Sequence, residues 1–417
     1  MKLNRRQFFG GAAAVGGAGL IGGCARPTPT PAEPGDLMYP FEGEHQAGIV
    51  TPAQDTLHFA AFDLDESATG EDLAKLMQRW SDAARRLVVG GEMSARGAFG
   101  GGPNFPPDDS GDAFDLGPHG LTVTFGFGRS LFVGGDGRTD RFGLAGRMPR
   151  DFEDMSVMVN DFIVPERSHG DLCIQACAND PLVSTHAIRN LTRLAVPDAV
   201  LRWSQRGFGR SSSTSTSQQT PRNLFGQKDG TNNLKAEQPQ LLDDHVWIPA
   251  TGNPASDWAV GGSYLTARRI AMSVEIWDSL QLSEQERVTG RAKASGAPLS
   301  GGGEFDAPDF TAVNERGRPL IDAESHVARV HPDHNGGIRM LRRGYDYIDG
   351  NDDQGRLDAG LFFMAYTKSP GRVAAVHRNM ARDAMFTEYL KTTNTGVYLI
   401  PPGVGGEGFI GEGLLRA

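Results

Sequence analysis

The sequence predicts an α+β fold in which two halves of the chain each carry an antiparallel sheet. Three observations predict it. Residues 57–64 have the extended apolar pattern of a strand, and residues 71–89 follow with apolar side chains at helical spacing. Near the other end, residues 360–366, 375–390 and 396–400 predict the order strand, helix, strand. The chain of 417 residues is long enough for two domains or one duplicated domain.

The elements between these ends follow from the same two periodicities. Residues 121–127 alternate between apolar and small or polar side chains, as a strand does. Residues 172–178 predict another strand and residues 183–194 another helix. The stretch 263–278 is rich in apolar residues, and its type is left open. Strands and helices mixed in this way favour antiparallel sheets with helices packed against them.

Three polar or glycine-rich stretches predict loops. Residues 97–111 and 295–306 combine several glycines with Pro, Ser or Asp, which is typical of long loops. Residues 211–219 are a Ser/Thr/Gln tract, which predicts a surface loop or a hairpin insertion. The two halves are assigned to residues 43–225 and 226–417.

The N-terminal segment predicts export. Arg5 and Arg6 stand before two phenylalanines, and an uncharged Gly/Ala-rich stretch follows over residues 10–23. That stretch is too short and too rich in glycine to be a good membrane span. Paired arginines before a weakly hydrophobic core are typical of a Tat signal, which we assign to residues 1–24. A periplasmic or cell-surface location follows from this assignment.

Cys24 ends a run, Leu-Ile-Gly-Gly-Cys, that is similar to a lipobox. One interpretation is that Cys24 carries a lipid anchor, and the other is a peptidase site with a chance cysteine; both stay open. Residues 25–42 begin as a Pro/Thr-rich stretch without large apolar side chains, so we assign them as a flexible linker.

Charge and cysteine content exclude some classes of function. The formal net charge is −10 and no basic block occurs, so nucleic acid is not expected as a partner. Cys173 and Cys177 would lie about 13 Å apart in a strand, too far for a disulfide. They are expected to be buried as small apolar residues. No Cys/His spacing typical of zinc sites occurs.

Three segments carry candidate chemistry. Gly226 and Gly230 flank Gln-Lys-Asp229, and glycine permits the backbone to approach a flat ligand closely, although such a run alone is more often a turn. The second segment places His326 first among three histidines within nine residues, and histidine is a common metal ligand. The third places Arg342 at the end of a strand or helix. A surface arginine is the default there for one of Arg342 and its neighbour Arg343.

Together the segments resemble the dye-decolorising (DyP-type) haem peroxidase family. The matching motifs are Gly-x-x-Asp-Gly at residues 226–230, Ser-His-Val at 325–327 and Leu-Arg-Arg-Gly at 341–344. The resemblance covers about residues 43–410. With the Tat signal, it points to the exported branch, which is similar to peroxidases encoded with iron-uptake systems. Two departures concern haem-edge contacts: the family usually has Phe at Gln227, and often Asn-Pro-Arg at residues 331–333.

The resemblance implies two ferredoxin-like halves of the dimeric α/β-barrel type, with one haem b per chain in the C-terminal half. It implies His326 as the iron ligand, Asp229 as the acid/base and Arg342 as the electrostatic stabiliser of peroxide cleavage. The implied haem contacts are Gly230, Thr231, Asn232, His326, Arg329, His331, Pro332, Asp333 and Arg342.

The function implied is that of a haem-dependent peroxidase, which reduces hydrogen peroxide and oxidises dyes or other one-electron donors through a ferryl intermediate. Two alternatives stay open: deferrochelatase-type release of iron from haem, and a haem carrier without turnover. The implied partners are hydrogen peroxide and a reducing substrate. Iron-uptake membrane proteins, a lipid at Cys24 and further copies of the chain are additional candidate partners.

Overall fold

The computed structural model describes residues 34–134, 139–155 and 157–416. The predicted Tat signal, Cys24 and the first part of the predicted linker lie outside these residues. The strands are β1 Thr56–Leu64, β2 Thr122–Gly128, β3 Leu172–Ala178, β4 Ala199–Arg210, β5 Ser263–Met272, β6 Leu341–Arg342, β7 Tyr345–Asn351, β8 Leu357–Thr367 and β9 Leu390–Ile400.

The α-helices are α1 Gly70–Leu87, α2 Pro181–Ala195, α3 Pro239–His245, α4 Val274–Asp278, α5 Leu282–Thr289, α6 His326–Val330, α7 Pro370–Asn379, α8 Ala384–Tyr389 and α9 Glu412–Leu415. Short 3₁₀ turns connect several of them. None of the helices within the described ranges is long and apolar enough to cross a membrane.

The strands form one sheet in the order β5-β9-β2-β3-β1-β4-β7-β8-β6, and every paired strand runs antiparallel to its neighbour. Because β5 also pairs with β8, the sheet closes on itself. The N-terminal strands β1–β4 join the C-terminal strands through β2–β9 and β4–β7. The antiparallel α+β fold of the barrel type is therefore confirmed.

Helix α1 shows why the predicted elements form. Thr69 and Asp72 make a capping box, which satisfies backbone donors at the start of the helix. Its apolar stripe is buried against the sheet, where the Trp80 indole stacks on the Phe125 ring at a centroid distance of 5.6 Å. Such an amphipathic helix covers one face of the N-terminal strands and closes a core.

The open stretch 263–278 divides into strand β5 and helix α4. Both cysteines lie buried and free on β3, as predicted. The later part of the predicted linker is packed: Phe41 is buried, and the backbone N–H of Gly120 donates to the Leu37 carbonyl at 2.6 Å.

Two sequence predictions were wrong, and a third, the surface loop at residues 211–219, was wrong for its first half. Residues 375–390 are two helices, α7 and α8, separated by the 3₁₀ turn Met380–Arg382. The predicted surface tract begins with a buried stretch, Ser211 to Ser215, because its polar groups find partners in neighbouring backbone. Neither arginine of the third segment follows the surface default. Arg343 is fully buried and donates to the Thr51 carbonyl at 2.6 Å, and the Arg342 side chain is only partly exposed and pairs with Asp229.

Candidate functional site

The site is a deep cavity in the C-terminal half, between strands β5 and β8 and helices α6, α7 and α8. Most of its inner wall is apolar. The apolar wall residues include Ile270, Met272, Leu361, Phe363, Val373, Val376, Met380, Met385, Phe386 and Leu390. A cavity with such walls favours a largely apolar ligand.

His326 is the first residue of helix α6 and lies on the cavity wall. Its Nδ1 is 2.6 Å from Oδ2 of Asp383, whose side chain is fully buried. Burial lowers the pKa of His326, but the Asp383 carboxylate outweighs this effect and raises the pKa above its ordinary value. Because Asp383 holds the Nδ1 proton, the other ring nitrogen, Nε2, is left to bind a ligand.

Asp383 was not predicted from the sequence. It is the N-cap of helix α8, where its Oδ1 accepts the backbone N–H of Phe386 at 3.1 Å. One carboxylate therefore fixes both the helix start and the His326 ring. An Asp at a helix start is the local signal for such a cap, but the sequence predicts a single helix over residues 375–390, in which Asp383 is not at a helix start.

Asp229 and Arg342 form the polar part of the cavity wall. The Arg342 Nη1 is 3.3 Å from the Asp229 Oδ1, and the Asn223 side-chain amide donates to Oδ2 at 3.1 Å. Arg342 ends the short strand β6, and its backbone is held by Asn233, whose side chain accepts the Arg342 N–H at 2.7 Å. A carboxylate and a guanidinium are thus positioned together in the same cavity as His326.

Gly230 cannot be replaced without strain. Its φ is +80°, and a Cβ there would lie 2.8 Å from the Cα of Ser212. The glycine lets the loop after Asp229 pass directly over the buried Ser211–Ser215 stretch. The second glycine of the Gly-x-x-Asp-Gly motif is therefore needed for close backbone packing.

The cavity also carries positive charge. Lys228, Arg291, Arg339 and Arg342 lie among its lining residues, and Glu304 pairs with Lys228. No group of three or more His, Cys, Asp or Glu side chains in the described ranges could hold a metal ion alone. Apolar walls, one carboxylate-backed imidazole and several cationic groups fit haem, which is largely apolar and carries an iron and two anionic propionates.

The structure brings together most of the predicted site residues. Those on the cavity wall are Asp229, Gly230, Thr231, Asn232, His326, His331, Pro332 and Arg342. Arg329 is directed toward Asn379, at 3.4 Å, and the Asp333 side chain is mostly exposed, so neither lies on the wall. As haem contacts, all of these residues stay predictions.

A chain of aromatic rings leads away from the cavity. Phe225 is on the cavity wall, and its ring stacks on the buried Trp277 indole at a centroid distance of 4.2 Å. Trp277 then meets the Tyr389 ring edge-on at 5.4 Å. The sequence alone could not select these rings, because their contacts join three distant segments.

Two family models match the chain. The model for the N-terminal part of Dyp-type peroxidases matches residues 46–209, and the model for their C-terminal part matches residues 220–405. A deferrochelatase of Escherichia coli O157:H7 is 34% identical, over 99% of this chain and 97% of the relative. The deferrochelatase of Escherichia coli K12 is also 34% identical, over 96% and 95%.

Solved structures give the same result. Ferric DtpA from Streptomyces lividans has a TM-score of 0.82 and 36% identity, covering 92% of this chain and 98% of its own. A DyP-type peroxidase from Cellulomonas bogoriensis has a TM-score of 0.81 and 32% identity, covering 93% and 100%. The chain therefore belongs to the Dyp-type peroxidase family: it is a haem-dependent peroxidase, and its cofactor is haem b.

Proposed function

We propose that His326 binds the haem iron through Nε2, that Asp229 moves the peroxide proton, and that Arg342 stabilises the charge that develops as the O–O bond breaks. The observation that carries this proposal is the Asp229–Arg342 pair, 3.3 Å apart, in the same cavity as the Asp383-backed His326. Bound haem supplies the iron and the redox chemistry.

Asp229 is suited to both proton steps. Its carboxylate can take a proton from one oxygen of hydrogen peroxide and return it to the other oxygen, which leaves as water. The Asn223 amide and the Arg342 guanidinium hold the carboxylate from two sides, so its oxygens are fixed before peroxide enters. A fixed cation at this point stabilises negative charge without reorganisation.

The test is stopped-flow mixing of the haem-loaded protein with hydrogen peroxide. Asp229→Asn should slow the first spectral change by about 10²–10⁴-fold, the usual effect of losing a positioned acid/base group. Asp353→Asn, at an exposed carboxylate between β7 and β8, is the matched control and should react as wild type does. An Asp229→Asn protein that reacts at the wild-type rate would contradict the role of Asp229.

A second activity is favoured by the relatives, whose name is deferrochelatase and which align with nearly the whole chain. In this role the protein would release iron from haem and leave the porphyrin intact, and iron-uptake membrane proteins would be its partners. Analysis of the products after incubation with haem and a reductant distinguishes the two. Iron-free porphyrin supports iron release, whereas intact haem with rapid dye oxidation supports a peroxidase role only.

Export through the Tat pathway is part of the proposal, and the arginine pair Arg5-Arg6 supports it. Changing both to Lys should leave the precursor inside the cell, and normal export would contradict the assignment. Cys24→Ala tests the lipid anchor separately, because an anchored protein should then leave the membrane fraction.

A further inference from the structure

A surface loop of the N-terminal half presents apolar side chains to solvent. We call residues 97–114 the phenylalanine loop; its residues 97–107 include no charged side chain, and residues 101–107 are all exposed. Phe99 is 76% exposed and Phe105 is 65% exposed. The Phe99 ring meets the ring of Phe114, which is also exposed, edge-on at a centroid distance of 4.9 Å. Large apolar side chains grouped at a surface are typical of a contact site.

The polar residues at the base of the loop are tied inward. The backbone N–H of Asp108 donates to the Gly97 carbonyl at 3.1 Å and closes the base. The Asp108 carboxylate pairs with Arg96, and the buried Asp109 carboxylate accepts the backbone N–H of Met93 at 2.7 Å. The base is thus held by hydrogen bonds and an ion pair, while the phenylalanine rings stay at the surface.

The chain enters the folded domain beside this loop. The Gly35 carbonyl accepts the backbone N–H of His119 at 3.1 Å, and its oxygen would lie 2.8 Å from a Cβ at Gly117. Gly117 comes three residues after Phe114. Met38, three residues after Gly35, is exposed and adds to the apolar surface. The segment that precedes Gly35 therefore starts its path close to the phenylalanine loop.

The length of that segment limits how far a membrane anchor can be. Cys24, the candidate site of lipid attachment, stands ten residues before Pro34, where the described chain begins. Even fully extended, ten residues span at most about 35 Å. A lipid on Cys24 would therefore keep the membrane within reach of the loop. Docking would then be intramolecular, with an effective concentration on the order of millimolar, so that even a weak apolar contact is populated.

We propose that the phenylalanine loop docks on the surface of the membrane that holds the Cys24 anchor. The rings of Phe99, Phe105 and Phe114 enter the boundary between headgroups and acyl chains, where burial of apolar surface stabilises the contact. Residues 89–119 carry five carboxylates and one arginine, so anionic headgroups do not attract this surface. The contact is apolar, and it holds the protein in one orientation on the bilayer. This inference rests on the proposed lipid anchor.

The test measures how fast a water-soluble maleimide labels a cysteine on the loop. The haem-loaded protein with the lipid on Cys24 is bound to phosphatidylcholine vesicles and carries Phe105→Cys, whose thiol is accessible because Cys173 and Cys177 are fully buried. Phe305→Cys is the matched control, since Phe305 is 73% exposed on a glycine-rich loop of the C-terminal half. The soluble Cys24→Ala form of each variant gives the labelling rate without a membrane.

Labelling of Phe105→Cys should be roughly 10-fold or more slower on vesicles than in the soluble form, whereas labelling of Phe305→Cys should change by less than about two-fold. Adding Phe99→Ser to Phe105→Cys should restore faster labelling, because it removes apolar surface from the contact. Equal labelling rates for Phe105→Cys in the two forms would overturn the inference. Equal slowing of both cysteines on vesicles would overturn it as well.

Three further results would identify a different cause. Protection of soluble Phe105→Cys that grows with protein concentration would show that a second copy covers the loop, and would overturn the membrane contact. Protection that strengthens with added phosphatidylglycerol and disappears in high salt would overturn the apolar contact in favour of an electrostatic one. An unmodified Cys24 in the exported protein would contradict the anchor and the inference together, whereas fast labelling with a lipidated Cys24 contradicts the docking alone.

Discussion

Replacing Asp346 with Asn should stabilise the folded protein at neutral pH. The pKa of this carboxyl is raised to about 8 by burial and by Asp229, whereas an unfolded Asp has a pKa of about 3.9. A group whose pKa is raised in the folded state contributes to the free energy of unfolding. This contribution is fully present below pH 3.9 and is lost as the pH rises through 8. The wild type therefore loses stability, relative to a variant without this titration, between these two values.

The expected magnitude follows from linkage. Each pH unit between the two pKa values corresponds to about 1.4 kcal/mol, so the difference reaches about 4 kcal/mol at pH 7. Below pH 4 the linkage contribution vanishes, and only the fixed difference between an acid and an amide in this site remains. The pH-dependent part isolates the titration, because Asn has no proton to lose.

The assay is urea unfolding of haem-loaded wild type and Asp346→Asn at pH 4.5, 6 and 7.5, with Asp353→Asn as the control. The free-energy difference between wild type and Asp346→Asn should grow with pH in favour of the variant. The exposed Asp353 should show no such trend. A difference that is constant across the three pH values would refute the assignment of Asp346 as a buried, protonated acid.

Three further predictions concern the cavity. Asp383→Asn removes the charge behind His326, the proposed iron ligand, so haem affinity should fall by about 10-fold to 100-fold in a haem titration; unchanged affinity would argue against the positioning role of Asp383. Gly230→Ala should destabilise the protein by about 1–3 kcal/mol in thermal unfolding. Gly317→Ala, with similar φ but open space, should cost less, and equal losses would refute the packing argument. Trp277→Phe should slow oxidation of a bulky dye more than that of ferrocyanide; equal slowing would exclude a route through Tyr389.

Sequence pattern was sufficient for most of the regular elements, and the family resemblance of short motifs located the candidate site residues. Helix α1 has both a capping box and an apolar stripe, so local sequence determines it. Asp229, His326 and Arg342 each stand in a short motif, and the structure brings these three distant segments to one cavity.

Residues whose role depends on tertiary contacts could not be predicted in this way. Asp383 is a helix cap by local sequence and becomes a partner of His326 only because α8 packs against α6. The Ser211–Ser215 stretch is polar, yet it is buried because distant parts of the chain supply its hydrogen bonds. The backbone carbonyl of Arg342 accepts from Ser212, that of Thr51 accepts from Thr214, and the Glu237 carboxylate accepts from Ser215. Closure of the sheet through the β5–β8 pairing is likewise a long-range property.

The most direct test of the central claim is the optical spectrum of haem-loaded His326→Gly, recorded before and after addition of imidazole. The protein should lose the spectrum of a histidine-ligated ferric haem, because no other side chain in the cavity has the Asp383 carboxylate behind it. Free imidazole should enter the space left by the side chain and restore the wild-type spectrum. A variant that keeps the wild-type spectrum without imidazole would contradict His326 as the iron ligand and, with it, the proposed roles of Asp229 and Arg342.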